Sequence, residues 1–178
     1  MRRLAIAVLT LALLPNGCGG SDEGDEGSAR RASTAEEARP GTDEFVRRVD
    51  SLCRDANPAL AANAAALTRA RDDARAGRAS LRETFKRFAA LLRKADRTTN
   101  RLRGGLRAID APEQERAFHA ALIDSLEKGS RNLREQISAA EAQDAVRLRE
   151  LSVQGSLINT RGKGLIEGHG GFRHCGRA

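Results

Sequence analysis

Apolar residues recur at alternating steps of four and three along a segment that follows Ser80. The repeating positions are Leu81, Phe85, Phe88, Leu92, Ala95, Thr99, Leu102, Leu106 and Ile109. An unbroken seven-residue repeat of this length predicts an amphipathic helix whose apolar face packs against neighbouring helices, as in a bundle or coiled coil. Ser80 is a residue type suited to cap its start.

Two further segments continue the same spacing toward the C-terminus. In the third helical segment, which Pro112 is suited to begin, the repeating positions are Phe118, Leu122, Leu126, Gly129, Leu133, Ile137 and Ala140. In the fourth segment they are Leu148, Leu151, Gly155, Ile158, Gly162 and Leu165. Asp144 can cap this last helix, and the short connections between the segments favour antiparallel neighbours.

The first helical segment differs from the others because it contains a proline. Thr42 or Asp43 can cap its start. Its apolar positions are Phe45, Val49, Leu52, Cys53 and Ala56. Pro58 is predicted to kink or interrupt the helix, which resumes up to Gly77. The sequence therefore predicts an all-α domain over residues 42–178, an antiparallel up-and-down four-helix bundle with a kinked first helix.

Composition supports helices over strands. The 178 residues include no Trp, no Tyr and five Phe, so burial depends on Leu, Ile, Val and Ala. The formal net charge is +7, with acidic residues interspersed throughout. A nucleic-acid footprint needs clustered basic residues and usually aromatic platforms, so we expect no nucleic-acid partner. Contact with an anionic membrane or envelope polymer stays open.

Residues 1–17 have the three regions of a secretory signal peptide. Arg2 and Arg3 supply the positive start, residues 4–14 are apolar, and small or helix-breaking residues follow. Eleven apolar residues reach only about 16 Å as a helix, well short of the ~30 Å hydrocarbon core of a bilayer. We therefore expect an exported chain whose signal is removed and which has no membrane-spanning helix.

The junction "LLPNGCGGSDEGDEGS" resembles the lipoprotein signal of bacteria. The resemblance implies that cleavage occurs before Cys18 and that its sulfur carries a lipid. Gly17 fits the small residue of that signal, whereas Pro15 and Asn16 depart from its small or aliphatic positions. The alternative is ordinary signal-peptidase cleavage one or two residues beyond Cys18, which would discard Cys18 and release a secreted protein.

Residues 18–41 are predicted to form a flexible tether. They consist mainly of Gly, Ser, acidic residues, Arg and Ala without an apolar cluster, so they cannot bury enough surface to offset the entropy of folding. A coil of this length reaches roughly 25 Å. Together with a lipid at Cys18, it would hold the domain at the outer face of the cytoplasmic membrane.

Cys53 and Cys175 are the other two cysteines of the chain. In an exported protein an even pair is expected to be oxidised, which would join the first helix to the residues after the fourth. The segments "EFVRRVDSLCRDANPAL" and "GFRHCG" resemble the two ends of exported or lipid-anchored helical proteins of actinobacteria. That resemblance implies the same disulfide and the same localisation, and it brings no catalytic motif.

The histidines and the acidic pairs of the chain have simpler explanations than a chemical site. His169 and His174 with the two cysteines could form a metal site, but a disulfide uses both thiols, so we expect no metal and solvent-exposed histidines. His119 is expected on the surface, and acidic pairs such as Glu113 and Glu115 are expected at solvated helix starts. No cofactor motif or catalytic constellation is recognised, which favours a protein that is not an enzyme.

The sequence thus favours an interaction or structural module of the cell envelope, with an envelope protein as its partner. The alternative is an extracytoplasmic carrier of a small ligand or metal, with a pocket between the helices where Gly129, Gly155 and Gly162 leave room.

Overall fold

The computed structural model describes residues 40–176, and these form four long helices that pack against one another. The helices are α1 (Pro40–Arg75), α2 (Leu81–Arg107), α3 (Arg116–Glu141) and α4 (Ala145–His169), with a short 3₁₀ turn at Glu113–Glu115 before α3. The predicted all-α four-helix bundle is confirmed. The predicted signal peptide, Cys18 and the predicted tether up to residue 39 lie outside the described residues.

Three helix ends lie at the residues that the sequence indicates, whereas α3 begins at Arg116 and not at Pro112. The Ser80 hydroxyl accepts the Glu83 N–H at 3.2 Å, and the Asp144 carboxylate accepts the Arg147 N–H at 2.9 Å, so both predicted caps are confirmed. Gly77 ends α1 with a positive φ of 68°. Its amide and that of the next residue return to carbonyls of the last turn, which is the Schellman arrangement.

α1 begins earlier than expected and runs through its proline. It is already helical at Pro40, ahead of the predicted caps Thr42 and Asp43, and it continues past Pro58 to Arg75. Proline costs a helix one amide hydrogen bond and does not interrupt this one. The 36-residue length gives α1 room to contact both α2 and the residues that follow α4.

Two apolar cores lie at opposite ends of the bundle. The tail-end core consists of Phe45, Val49, Leu106, Ile109, Ala111, Leu122 and Cys175. The far-end core consists of Phe85, Ala89, Leu92, Ala139, Ala140, Leu148 and Leu151. Ten of these fourteen residues are predicted apolar positions, and the other four are Ala89, Ala111, Ala139 and Cys175. Their burial is the main source of stability for a chain so poor in aromatic residues.

Between these cores, α3 buries three polar side chains. Ser130, Asn132 and Gln136 are buried on α3 between Leu122 of one core and Ala139 of the other. The Ser130 hydroxyl donates to Asp96 of α2, and the Gln136 amide donates to the side-chain oxygen of Asn132. Buried groups satisfied in this way favour one register of the neighbouring helices over others.

Two of the predicted core positions are wrong. Leu81 is 68% exposed because it is the first residue of α2 and lies outside both cores. Leu165 is 37% exposed, and its neighbour Ile166 packs against the tail-end core instead. A straight α-helix has 3.6 residues per turn, so positions spaced by a strict seven-residue repeat gradually move around the helix and away from the core. In α4 the core-facing residue after Gly162 is therefore Ile166, four residues on, and not Leu165, three residues on.

Candidate functional site

The bundle is open along one side. α1 packs against α2, α2 against α3 and α3 against α4, but within the described helices no Cα atom of α1 comes within 8 Å of one in α4. A cavity of about 400 Å³ lies in the resulting cleft. We call it the α1–α4 cleft. Its floor is formed by α2 and α3, through side chains such as Leu102, Leu126 and Leu133.

Three glycines on the predicted apolar faces line this cleft, as the ligand-carrier hypothesis requires. A Cβ atom on Gly155 would lie 2.7 Å from the Asn132 side-chain oxygen, and one on Gly162 would lie 2.8 Å from the Ser125 hydroxyl. Gly129 has no atom within 4 Å of its Cβ position, so it borders open space. Glycine thus permits the approach of α4 to α3 and leaves volume on the cleft side of α3.

Polar groups from every helix join the apolar lining. They are Asn57, Thr99, Ser125, Asn132, Gln136, Ser152, Asn159 and Lys163. Asn132 and Gln136 are already engaged, since the Asn132 amide donates to the carbonyl of Leu151 at 3.0 Å and the Gln136 amide donates to Asn132. A lining of leucine and isoleucine with amide, hydroxyl and ammonium groups suits a small amphiphilic molecule.

One end of the cleft is closed by the residues that follow α4, here called the tail (residues 170–176). Gly170 ends α4 with a φ of 77°, and Gly171 also has a positive φ, 78°, so the chain reverses direction there. Cys175 is bonded to Cys53, 122 residues earlier, which confirms the predicted disulfide. The Asn57 amide donates to the carbonyl of His174 at 2.8 Å and holds the same segment against α1.

A single carboxylate oxygen holds the tail by its backbone. Oδ1 of Asp50 accepts the N–H groups of Arg173, His174 and Cys175 at 3.0, 2.7 and 3.1 Å. Burial raises the pKa of Asp50, but these amide bonds and the nearby His174 ring outweigh burial, so its pKa is lowered from 3.8. The sequence does not predict this contact, because no residue pattern links Asp50 of α1 to an amide 123 residues away.

The histidines are less exposed than expected. His169 Nε2 lies 2.7 Å from a carboxylate oxygen of Glu115, which is only 5% exposed, and its ring packs on Phe118 with centroids 4.1 Å apart. His119 is half-buried, with Nε2 2.8 Å from the carbonyl of Leu106. The predictions of a surface His119, an exposed His169 and a solvated Glu115 are therefore wrong. The 3₁₀ turn and the tail bring these side chains inward.

The two histidines near the cysteines do not converge on a common point. His169 faces Glu115, whereas His174 is exposed and lies 4.0 Å from Asp50. Both thiols are used in the disulfide. Within residues 40–176, no group of three or more His, Cys, Asp or Glu side chains is arranged to hold a metal ion.

No described helix combines the length and the apolar character needed to cross a bilayer. Comparison with protein-family models, with curated proteins and with solved structures finds no match to this chain. What the α1–α4 cleft and the tail do must therefore be argued from their own chemistry.

Proposed function

We propose that this chain is an exported, lipid-anchored helical module of the cell envelope that binds another envelope component and catalyses no reaction. In this proposal Cys18 carries the lipid, the residues from 18 to the start of α1 at Pro40 act as the tether, and the bundle is held at the outer face of the cytoplasmic membrane. The signal-like residues 1–17 and the acidic, glycine-rich segment after Cys18 support this arrangement.

The observation that carries the proposal is the Cys53–Cys175 bond at the end of the bundle where the domain begins. Disulfides of this kind persist in oxidising compartments and are rare where thiols are kept reduced. A domain without Trp or Tyr has few large side chains with which to stabilise its core, so a covalent link between its two ends is valuable to it.

Labelling with a radioactive fatty acid tests the lipid anchor directly. The full chain expressed in a bacterium should incorporate labelled palmitate and fractionate with membranes, and Cys18→Ala should lose both properties. Cys53→Ala is the matched control, because it removes a cysteine that the proposal does not assign to lipid. A wild-type chain that is exported without label would make the protein a secreted bundle and exclude the anchor.

A second candidate function is the carriage of a small ligand in the α1–α4 cleft. The observation that favours it is the cavity of about 400 Å³ lined by Gly129, Gly155 and Gly162. Its leucine-rich floor and its polar rim, which includes Asn159 and Lys163, suit an amphiphile with an apolar body and an uncharged or anionic head. The Lys163 ammonium lies 3.6 Å from a carboxylate oxygen of Glu167 on the same helix.

Native mass spectrometry and metal analysis of the chain purified from its expression host test this candidate. A carrier should retain a stoichiometric ligand, and Gly129→Leu should abolish retention because its side chain enters the open space beside Gly129. Gly104→Leu is the control, since Gly104 is exposed on α2 and likewise has no atom within 4 Å of its Cβ position. Equal retention by both variants would exclude the cleft as the site.

A further inference from the structure

The outward face of α2 carries a row of cations that are separated by three or more residues in the sequence and come together only in the helix. Arg82, Lys86, Lys94, Arg97 and Arg101 are all exposed, and within the described residues none of them has a carboxylate within 4 Å. With Ala90 they step by four, four, four, three and four, so they share one side of the helix. We call this row the cationic stripe; it extends over about 28 Å.

The acidic residues of α2 do not neutralise the stripe. α2 contains only two of them, Glu83 and Asp96. Glu83 pairs with Arg87 at 3.2 Å, and Asp96 accepts the hydroxyl of Ser130 on the inward side. Elsewhere in the bundle several exposed cations pair with acids, as Arg47 does with Glu44 and Arg147 with Glu135. The helical period therefore produces a local excess of positive charge that composition alone does not reveal.

We propose that the cationic stripe binds the headgroups of anionic lipids and lays the bundle along the membrane surface. The proposal deepens the membrane-proximal role above and rests on it for location. Ala90 is the only apolar member of the stripe, so the stripe offers no apolar wedge for insertion, and binding is electrostatic. It also has no aromatic side chain on which a base could stack, which favours a lipid surface over nucleic acid.

The orientation that follows leaves the α1–α4 cleft accessible. Thr99 and Leu102 of α2 line the floor of the cleft, and they lie on the side of the helix opposite the stripe. A bundle bound through the stripe therefore directs the cleft away from the lipid. The tether, which precedes α1, is long enough at roughly 25 Å to allow this contact.

Vesicle sedimentation tests the stripe without the lipid anchor. The probe is a chain from residue 18 onward with Cys18→Ala, mixed with phosphatidylcholine vesicles that contain or lack about one third phosphatidylglycerol. Binding should require phosphatidylglycerol. It should weaken steeply between about 50 and 500 mM salt, because added salt reduces the range over which the cations attract the anionic headgroups. The variant Lys86→Glu/Lys94→Glu/Arg97→Glu should reduce partitioning by at least about a hundredfold, since the loss of each cation near such a surface costs about fivefold and the new carboxylates are repelled.

The matched control carries Arg131→Glu/Arg149→Glu/Arg161→Glu, three exposed cations of α3 and α4 that also lack a carboxylate within 4 Å. This control changes the net charge by the same amount as the stripe variant. Because its three cations lie outside the stripe, its partitioning should fall only a few-fold. Absence of binding by the parent chain, or equal losses in the two variants, would overturn the proposal. Tighter binding to double-stranded DNA than to the vesicles at the same salt would also overturn it. Palmitate labelling at Cys18 is independent of all these outcomes.

Discussion

Asp50 and Cys175 are joined at the point where the chain returns to its first helix: the Asp50 carboxylate accepts the Cys175 N–H at 3.1 Å. Cys53, which bonds the sulfur of Cys175, lies one turn further along α1. A charged hydrogen-bond acceptor and a covalent bond thus hold the same three-residue segment. The position of the tail depends on both interactions, and each of them can be removed by a separate substitution.

Removal of the Asp50 carboxylate should destabilise the bundle. We expect Asp50→Ala to lower the free energy of unfolding by about 2 kcal/mol, because three backbone N–H groups lose a charged acceptor. Asp50→Asn should cost less, since an amide oxygen can still accept. Urea denaturation measures both. Asp55→Ala on the same helix is the control, because this exposed carboxylate pairs only with Arg54 and should cost under about 0.5 kcal/mol.

The same carboxylate should make stability depend on acid pH. Since the pKa of Asp50 is lowered in the folded state, its contribution is complete above its unfolded pKa of about 3.9 and is lost as the pH falls through the folded value. Wild type should therefore lose more stability than Asp50→Asn as the pH is lowered below about 4. Identical pH slopes for the two proteins would contradict the assigned role.

Loss of the disulfide should have the largest single effect. Cys53→Ser/Cys175→Ser opens a loop of 122 residues, and the chain-entropy account gives a destabilisation of up to about 5 kcal/mol. Wild type in a reducing agent should unfold at the denaturant concentration of the double variant in the same buffer. Intact mass after alkylation without reduction supplies the check on the bond, and two labelled thiols at these positions would show that it does not form.

Alanine at two glycines of the cleft should act in opposite directions. Gly129→Ala should stabilise the bundle by up to about 1 kcal/mol, because its Cβ meets open space and alanine favours a helix. Gly155→Ala should destabilise it by about 1–3 kcal/mol, because its Cβ would lie 2.7 Å from Asn132, a buried residue held by hydrogen bonds. Thermal unfolding of the two variants distinguishes these signs, and stabilisation by both would mean that α3 and α4 separate readily.

Gln143 offers a stabilising substitution. It has a positive φ of 57° at the end of α3, where its amide and that of Asp144 bond carbonyls of the last turn. Glycine adopts this left-handed conformation without steric cost, so Gln143→Gly should gain about 0.5–1 kcal/mol. Gln143→Ala keeps the Cβ atom and should gain nothing. An equal gain for both would show that the backbone there is not strained.

The helices themselves could be predicted because their signals are local. Ser80 and Asp144 cap helices through contacts three residues away, and Gly77 ends α1 within one turn. The apolar steps of the four helical segments predicted ten of the fourteen core residues for the same reason. The prediction for Leu81 was wrong because this residue lies at the end of a helix, where the apolar spacing continues but no core packs against the side chain.

The site was harder to predict because it depends on where distant segments return. The disulfide was expected from the cysteine count, and the glycines from their spacing. The place of Ile166 in the core, the burial of Glu115 and the binding of tail amides by Asp50 all require the tail to fold back between α4 and α1. No residue pattern in either segment specifies that path, since each contact joins parts of the chain that are far apart in sequence.

The position of the disulfide also governs how the protein responds to force. A pull applied between Pro40 and Gly176 passes along α1 to Cys53 and crosses directly to Cys175. Residues 54–174 lie within the covalent loop and cannot be extended by that pull. Mechanical load can therefore unravel only the first turns of α1, and three of the four helices are shielded from it for as long as the bond is oxidised.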